Sequence, residues 1–357
     1  MQKEIEAKLS QYCDPYLEVD LFTAKAIKQI DVRPDKVTID IVLGYPIESV
    51  KESMKADLIS LLRSSTTQAI DIKLSCQINS HTGNQGIPGL ANVKNIIAVG
   101  SGKGGVGKSV TAVNLALALA KEGAQVGLLD ADIYGPSQPA MLGVGAERPV
   151  FHEKSLLPIK RHGIQSMSMG YLIDQETPMV WRGPMIGKAL QQLLQDTRWE
   201  SLDYLIVDLP PGTGDIQLTL CQKMPVSGAV IVTTPQDLAL LDVRRACEMF
   251  NKLNVPILGV IENMSSYQCS QCGFAEAIFG TGGGAKLSQE YSLPLLGSIP
   301  LAISIRETTD QGQPVVVAHA DSPYATLFYQ IARKLAAKLS LQAKNYSAKF
   351  PKIVVKN

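Results

Sequence analysis

The sequence has no excess of either charge, few cysteines and histidines, and no long apolar run. Across 357 residues, 34 Lys and Arg face 33 Asp and Glu, a balance with no overall electrostatic drive toward nucleic acid or an anionic membrane. Six cysteines are too sparse for a disulfide scaffold. The apolar windows are helix- or strand-sized and broken by charge or glycine, short of the roughly eighteen consecutive apolar residues of a membrane span. The start, MQKEIE, lacks the basic-then-apolar order of a signal peptide. The expectation is a reduced, cytoplasmic protein with no nucleic-acid and no membrane partner. His81, His152, His162 and His319 show no H-x-x-x-H spacing, so no metal role is expected of them.

What is present is enough apolar content, 45%, for a sizeable core, and a length suggesting two domains at roughly 150 residues each. Residues 1–80 carry ten Lys/Arg against twelve Asp/Glu and the alternating run KVTIDIVL at 36–43, which predicts a small α+β domain. Residues 81–93 begin with HTGNQGIPG, a composition suited to a solvated linker. From 94 to 341, short β-branched runs alternate with helical patterns: IIAV (96–99), VGLLD (126–130), YLIVD (204–208), AVIVT (229–233) and ILGVI (257–261). Runs apolar on both faces and separated by crossovers predict a doubly wound α/β fold with a mostly parallel sheet. Its last helix opens at Ser322-Pro323, a Ser cap with Pro in the first turn. Residues 342–357 form a basic tail, read as a solvated helix face and frayed end. Trp181-Arg182-Gly183-Pro184 precedes a helical run over 185–195 and is read as packing and capping.

Gly102-Lys103-Gly104-Gly105-Val106-Gly107-Lys108-Ser109 fits the P-loop pattern G-x-x-x-x-G-K-[ST], between the strand IIAV and a helical run over 109–122. Glycines let successive N–H groups turn toward a polyphosphate, and the helix N-terminus adds its dipole. Lys108 is placed to reach the β and γ phosphates, and the Ser109 hydroxyl to ligate Mg²⁺. Two acidic elements follow: VGLLD ends in Asp130-Ala131-Asp132, and YLIVD ends in Asp208 before LPPGTGD. Carboxylates at the carboxyl ends of parallel strands sit where an open α/β sheet binds ligand, so they can hold Mg²⁺ through water and orient an attacking water.

Cys269 and Cys272 stand three positions apart in a polar loop after ILGVI, a spacing that lets two thiolates bind one metal centre. A tetrahedral zinc or a [4Fe–4S] cluster normally takes four ligands, so a second chain is the simplest source of the other two. The remaining cysteines form no second pair: Cys13 and Cys76 belong to the N-terminal module, and Cys221 and Cys247 read as small core residues. Three readings stay open on the residues alone: a redox dithiol, a zinc shared between chains, and a shared iron–sulfur cluster.

GKGGVGKS, DADIYGPS (130–137), DLPPGTGD (208–215) and the later Cys269-x-x-Cys272 together resemble the Mrp/ApbC family of iron–sulfur cluster carrier P-loop ATPases, over roughly residues 94–340. Residues 1–80 resemble the small N-terminal domain of bacterial Mrp proteins, with Tyr45-Pro46 where many relatives carry a Cys-Pro pair. The resemblance implies that Lys103 is a signature lysine reaching the partner's nucleotide, that Asp132 positions the hydrolytic water, and that Asp208 supports Mg²⁺. It also implies that Gly212 offers its N–H to the γ-phosphate and that Asn263 reads adenine. The function implied is a homodimeric ATPase that holds an iron–sulfur cluster, of [4Fe–4S] type, between two chains and passes it to apoproteins. Two alternatives of other classes are a partitioning or positioning ATPase acting on membrane or DNA, and a zinc-stapled nucleotide-binding scaffold.

Overall fold

Along Lys36–Leu43 the side chains of Val37, Ile39, Ile41 and Leu43 are buried and those between them half-exposed, as expected of a strand with one wet face. The computed structural model containing it describes residues 1–81, 83, 87–153, 155–172, 183–269 and 271–344. Trp181 and Arg182, residues 82 and 84–86 of the expected linker, and residues 345–357 of the expected tail lie outside the described residues. The chain divides into two compact units, Met1–Thr82 with Ala336–Asn357, and Gly83–Leu335. The second break therefore falls inside the last helix rather than after residue 341.

The first unit contains helix α1 (Gln2–Leu9), strands β1 (Ile27–Val32) and β2 (Lys36–Leu43), helix α2 (Lys51–Leu62) and strand β3 (Ala69–Cys76). The sheet order is β1-β2-β3; β1 runs antiparallel to β2, and α2 crosses over so that β3 pairs parallel, from Lys36↔Ala69 to Leu43↔Cys76. Ile5 and Leu9 of α1 and Met54, Leu58 and Leu62 of α2 are buried with the apolar strand residues. Tyr45 is fully buried, and its hydroxyl donates to Asp14 Oδ2 at 2.6 Å. The other oxygen of Asp14 accepts the Tyr16 and Leu17 N–H groups, both at 2.8 Å. The Tyr45-Pro46 position is thus a core position here, and burial followed by the Asp14 charge pushes the phenol far above its ordinary pKa.

The second unit begins with β4 (Val93–Gly100), α3 (Lys108–Lys121), β5 (Val126–Asp130) and α4 (Gln138–Met141), followed by a hairpin of β6 (Phe151–His152) and β7 (Ser155–Leu156). Then come β8 (Ile159–Arg161), β9 (Ile164–Ser168), α5 (Gly183–Asp196), β10 (Leu202–Asp208), α6 (Asp215–Lys223), β11 (Gly228–Thr233) and α7 (Asp237–Lys252). The remainder is β12 (Ile257–Gln268), β13 (Ala275–Glu276), α8 (Gly283–Tyr291), β14 (Leu295–Leu301), α9 (Ile303–Asp310), α10 (Val315–Ala318) and α11 (Pro323–Ser340). At the start of α11 the Ser322 hydroxyl accepts the Ala325 N–H at 3.1 Å, the expected cap with Pro323 in the first turn. No described helix is long and apolar enough to cross a membrane.

The main sheet runs β13-β12-β11-β4-β10-β5-β9-β8, with β14 also on β12. Its pairings are parallel except those of the terminal β8 and β13. Every residue of β5 and β11 is buried, which is why their sequences read as unbroken apolar runs. The carboxyl ends of β4, β10 and β5 lie side by side, Asp208 in register with both Val99 and Asp130. The P-loop and both acidic segments therefore open onto one crevice, where doubly wound sheets place their ligands.

Candidate functional site

The chain leaves β4 at Gly100 and re-enters a helix at Lys108, and two glycines make that turn possible. Gly107 takes φ 80° as the residue capping α3, a left-handed conformation that side chains disfavour, and the Asn263 amide packs where its Cβ would stand. Gly102 lies against the α7 backbone at Asp242, with no room for a Cβ. Lys103, Gly104, Gly105, Lys108, Ser109 and Asp132 line one cleft of about 240 Å³. The Lys108 ammonium donates to Asp208 Oδ1 and, at 3.2 Å, to the Ser109 hydroxyl. Lys103 is half-buried and its ammonium forms no ion pair among the described residues.

Behind the cleft, Asp208 is fully buried; its Oδ2 accepts from Gln138 Nε2 at 2.8 Å. Asp130 is also buried, and its oxygens accept the Asp132 N–H, the Gln138 N–H and the Ser168 hydroxyl, each at 3.1 Å. Burial raises the Asp130 pKa to about 7, the Asp208 charge adds to the shift, and the two backbone N–H groups oppose it. Asp132 is half-buried at the cleft wall, where Oδ1 accepts the Gly135 N–H at 3.3 Å.

A second cleft of about 490 Å³ shares Gly107, Val110, Ser137 and Met141 with the walls of the first. Its walls are mostly apolar, with Met264, Ile299, Ile305 and Phe328 among them. Asn263 stands at its edge, where Nδ2 donates to the Val106 carbonyl at 2.9 Å. An apolar slot beside a phosphate cradle has the chemistry to take the base of a nucleotide.

Six positions beyond Asn263, the same strand delivers Cys269. β12 and β13 pair antiparallel at Tyr267↔Glu276 and Gln268↔Ala275, and the chain reverses between them with the Cys269 N–H on the Phe274 carbonyl at 2.9 Å. The thiols thus sit at a hairpin tip, Cys269 half-buried and Cys272 exposed, in the turn that the exposed Phe274 closes. The redox-dithiol reading needs a helix start, and this is not one. The N–H groups of Cys272 and Gln271, then the Cys272 thiol, hold the Cys269 thiol below its ordinary pKa. Cys221 and Cys247 are buried, and burial pushes each up to about 12. Among the described residues no three His, Cys, Asp or Glu side chains converge as a metal site, so one chain provides two thiols.

With a P-loop and a two-thiol hairpin on one sheet, comparison with known proteins is decisive. The family model described as NUBPL iron-transfer P-loop NTPase matches residues 92–336. The chain belongs to this family. A second model, described as an iron–sulfur cluster assembly protein, matches residues 2–71. The iron–sulfur cluster carrier protein of Escherichia coli (strain K12) is 50% identical over 340 residues, covering 95% of this chain and 92% of that protein. The iron–sulfur cluster transfer protein NUBPL of Dictyostelium discoideum is 46% identical over 270 residues, 74% of this chain and 84% of its own. A solved nucleotide-binding protein from Archaeoglobus fulgidus in complex with ADP is 36% identical with a TM-score of 0.58, covering 66% of this chain and 91% of that one.

Within this NUBPL-type P-loop ATPase fold, two expected residues take other partners. Asp130 engages three donors in the wall behind Asp208, the Asp132 N–H on Oδ1 and the Gln138 N–H and Ser168 hydroxyl on Oδ2. The Gly212 N–H, expected on a phosphate, donates to the Ser101 carbonyl at 3.2 Å. Gln138 was not legible as a site residue. It starts α4 and is 1% exposed, but no motif marks it, and its partners Ser109 and Asp208 are 29 and 70 positions away.

Proposed function

We propose that this chain is an ATP-hydrolysing iron–sulfur cluster carrier: Cys269 and Cys272 from two copies hold the cluster as cargo, and nucleotide state governs its release to apoproteins. The observation that carries this reading is the single strand β12, whose Asn263 is bonded to the P-loop carbonyl of Val106 and whose end delivers Cys269. Six residues of strand span at most about 20 Å, so nucleotide and cargo sit at two ends of one short element.

Phosphoryl transfer needs no protein nucleophile. Water attacks the γ-phosphate while Lys108, Lys103 of the facing copy and the P-loop N–H groups stabilise the developing charge. Asp132 orients the water. Asn263 and the apolar cleft beside Gly107 take the adenine. The Ser109 hydroxyl and the Asp208 carboxylate together embrace the Lys108 ammonium, so this pair of hard oxygens already binds a cation and fits Mg²⁺. When bound, Mg²⁺ neutralises phosphate charge; Ser109 and Asp208 hold it, and Asp130 acts through the residues it shares with Asp208. Four thiolates from two hairpins match the ligand count of a [4Fe–4S] cluster, which makes a homodimer the working unit. Six free cysteines among the described residues suit a reducing compartment, the cytoplasm. The zinc scaffold and the membrane- or DNA-acting ATPase have no specific observation in their favour.

Anaerobic reconstitution with iron and sulfide, followed by visible absorption and metal analysis, tests the reading. Broad charge-transfer absorption with iron and sulfide retained is the expected result. A colourless protein retaining zinc would overturn it.

A further inference from the structure

We infer that Gln138 is a positioning residue for ATP hydrolysis: it keeps the Asp208 carboxylate oriented once Lys108 leaves that carboxylate for the nucleotide phosphates. The inference rests on the ATPase reading above. Gln138 opens α4, just after the acidic segment that follows β5, with its side chain almost wholly withdrawn from water. Its Nε2 donates to Asp208 Oδ2 at 2.8 Å and to the Ser109 carbonyl at 3.1 Å, and its backbone N–H donates to Asp130 Oδ2 at 3.1 Å. One residue therefore ties together the ends of β5 and β10 and the first turn of α3.

The amide orientation follows from its neighbours. A carboxylate and a carbonyl only accept, so the NH₂ end must face them and a flipped amide would set oxygen against oxygen. Both N–H groups are thereby used. The Oε1 atom, buried, meets no donor among the described residues, and burying an acceptor that way is unfavourable. An apolar side chain would fill the same space without that penalty, so packing alone does not explain an amide here.

The network also divides the labour on Asp208. Lys108 occupies Oδ1 and Gln138 occupies Oδ2. Asp208 and Asp130 are register neighbours whose charges repel, and Lys108 moderates that repulsion only while it stays. When its ammonium turns to the phosphates, Oδ1 is freed for the cation accompanying the nucleotide, while Oδ2 stays pinned by Gln138. Without that pin, the carboxylate is free to rotate away from Ser109.

Gln138→Met keeps length and volume and removes both donors; Gln138→Glu keeps the shape and sets an acceptor against Asp208. Three measurements separate positioning from packing: thermal melting without nucleotide, fluorescent ADP affinity with and without Mg²⁺, and steady-state ATPase activity across a Mg²⁺ series. For Gln138→Met we expect ADP affinity without Mg²⁺ to change little. The Mg²⁺ needed for half-maximal ADP binding should rise, and kcat fall, by about tenfold or more with KM for ATP nearly unchanged, the range of losses when a ligand's hydrogen-bond partner is removed. Gln138→Glu should lose at least as much. Wild-type Mg²⁺ dependence and kcat in Gln138→Met would overturn the inference, as would an equal loss of ADP affinity with and without Mg²⁺. Should Gln138→Met fail to fold, the same readouts on Gln138→Glu decide between these outcomes. A wild-type protein without ATP turnover would instead overturn the ATPase reading itself.

Discussion

The ammonium of Lys108 and the carboxylate of Asp208 meet at the floor of the P-loop, 6% and 0% exposed respectively. A buried pair of this kind is held by mutual compensation, because either charge alone would be costly to keep from water. Nucleotide phosphates bound as proposed would compete with Asp208 for the Lys108 ammonium. The Lys108 ammonium is thus the cation held between Asp208 and Ser109 in the protein without nucleotide.

Lys108→Ala should abolish ATP turnover. It should also destabilise the nucleotide-free protein by about 3–5 kcal/mol, the usual cost of removing one member of a buried pair. Urea unfolding beside an ATPase assay measures both. Wild-type turnover in the mutant would remove Lys108 from the active site. Lys108→Ala combined with Asp208→Ala should be less destabilising than the sum of the single changes, because the orphaned charge is then gone.

Asp132→Asn should separate binding from chemistry. Asp132 lines the cleft but holds neither Lys108 nor Ser109, so the phosphate cradle stays intact. Mg-ATP affinity is expected to remain within a small factor while kcat drops by about 10²-fold or more, the scale of a lost proton-transfer or water-orienting group. Equal loss of affinity and turnover would make Asp132 part of the cradle instead.

How much of this was readable in the sequence depended on whether the cause was local. The strands at 96–99, 126–130, 204–208, 229–233 and 257–261 announced themselves because both their faces are buried. The P-loop was legible because glycines, Lys108 and Ser109 are contiguous. Strand β9, IQSMS, carries no such signal, yet all five residues are buried. Two of its polar side chains are satisfied by groups far away in the chain, Gln165 donating to the Glu200 carbonyl at 2.9 Å and Ser168 to Asp130, while Ser166 lies 2.8 Å from the nearby Tyr171 hydroxyl. Gln138 was hidden for the same reason. Strand β3, AIDIKLSC, alternates imperfectly, and its parallel pairing depends on the α2 crossover.

The thiols should differ in their pH dependence of alkylation in the reduced, cluster-free protein. A thiol whose pKa is lowered is deprotonated at lower pH than an ordinary thiol of pKa about 8.5, and only the thiolate reacts. Cys269 is therefore expected to keep reacting with iodoacetamide as pH falls below the range where free cysteine slows. Cys221 and Cys247, each pushed up to about 12 and buried, should stay unmodified until the protein unfolds. Peptide mass mapping across a pH series reads this out; a Cys269 midpoint at or above that of free cysteine would contradict the hairpin geometry.

The cluster site makes the most demanding prediction, because it is incomplete in one chain. Each copy offers Cys269 and Cys272 at the end of β12, and no third metal-ligating side chain joins them among the described residues. A four-thiolate centre then requires two hairpins facing each other, and two identical chains do this most simply about a two-fold axis. One cluster per dimer follows. Cys269→Ser halves the thiolates at that axis, so stable cluster binding should be lost. The P-loop, on a different stretch of the sheet, should still bind ATP with wild-type affinity. Metal analysis with size-exclusion mass measurement checks the stoichiometry, and fluorescent-nucleotide titration checks the second site. A reconstituted wild-type protein that ran as a monomer with one cluster per chain would refute the shared centre, as would a Cys269→Ser protein that kept its full iron content. Loss of nucleotide binding in Cys269→Ser would show instead that the hairpin supports the nucleotide site directly, through the strand it shares with Asn263.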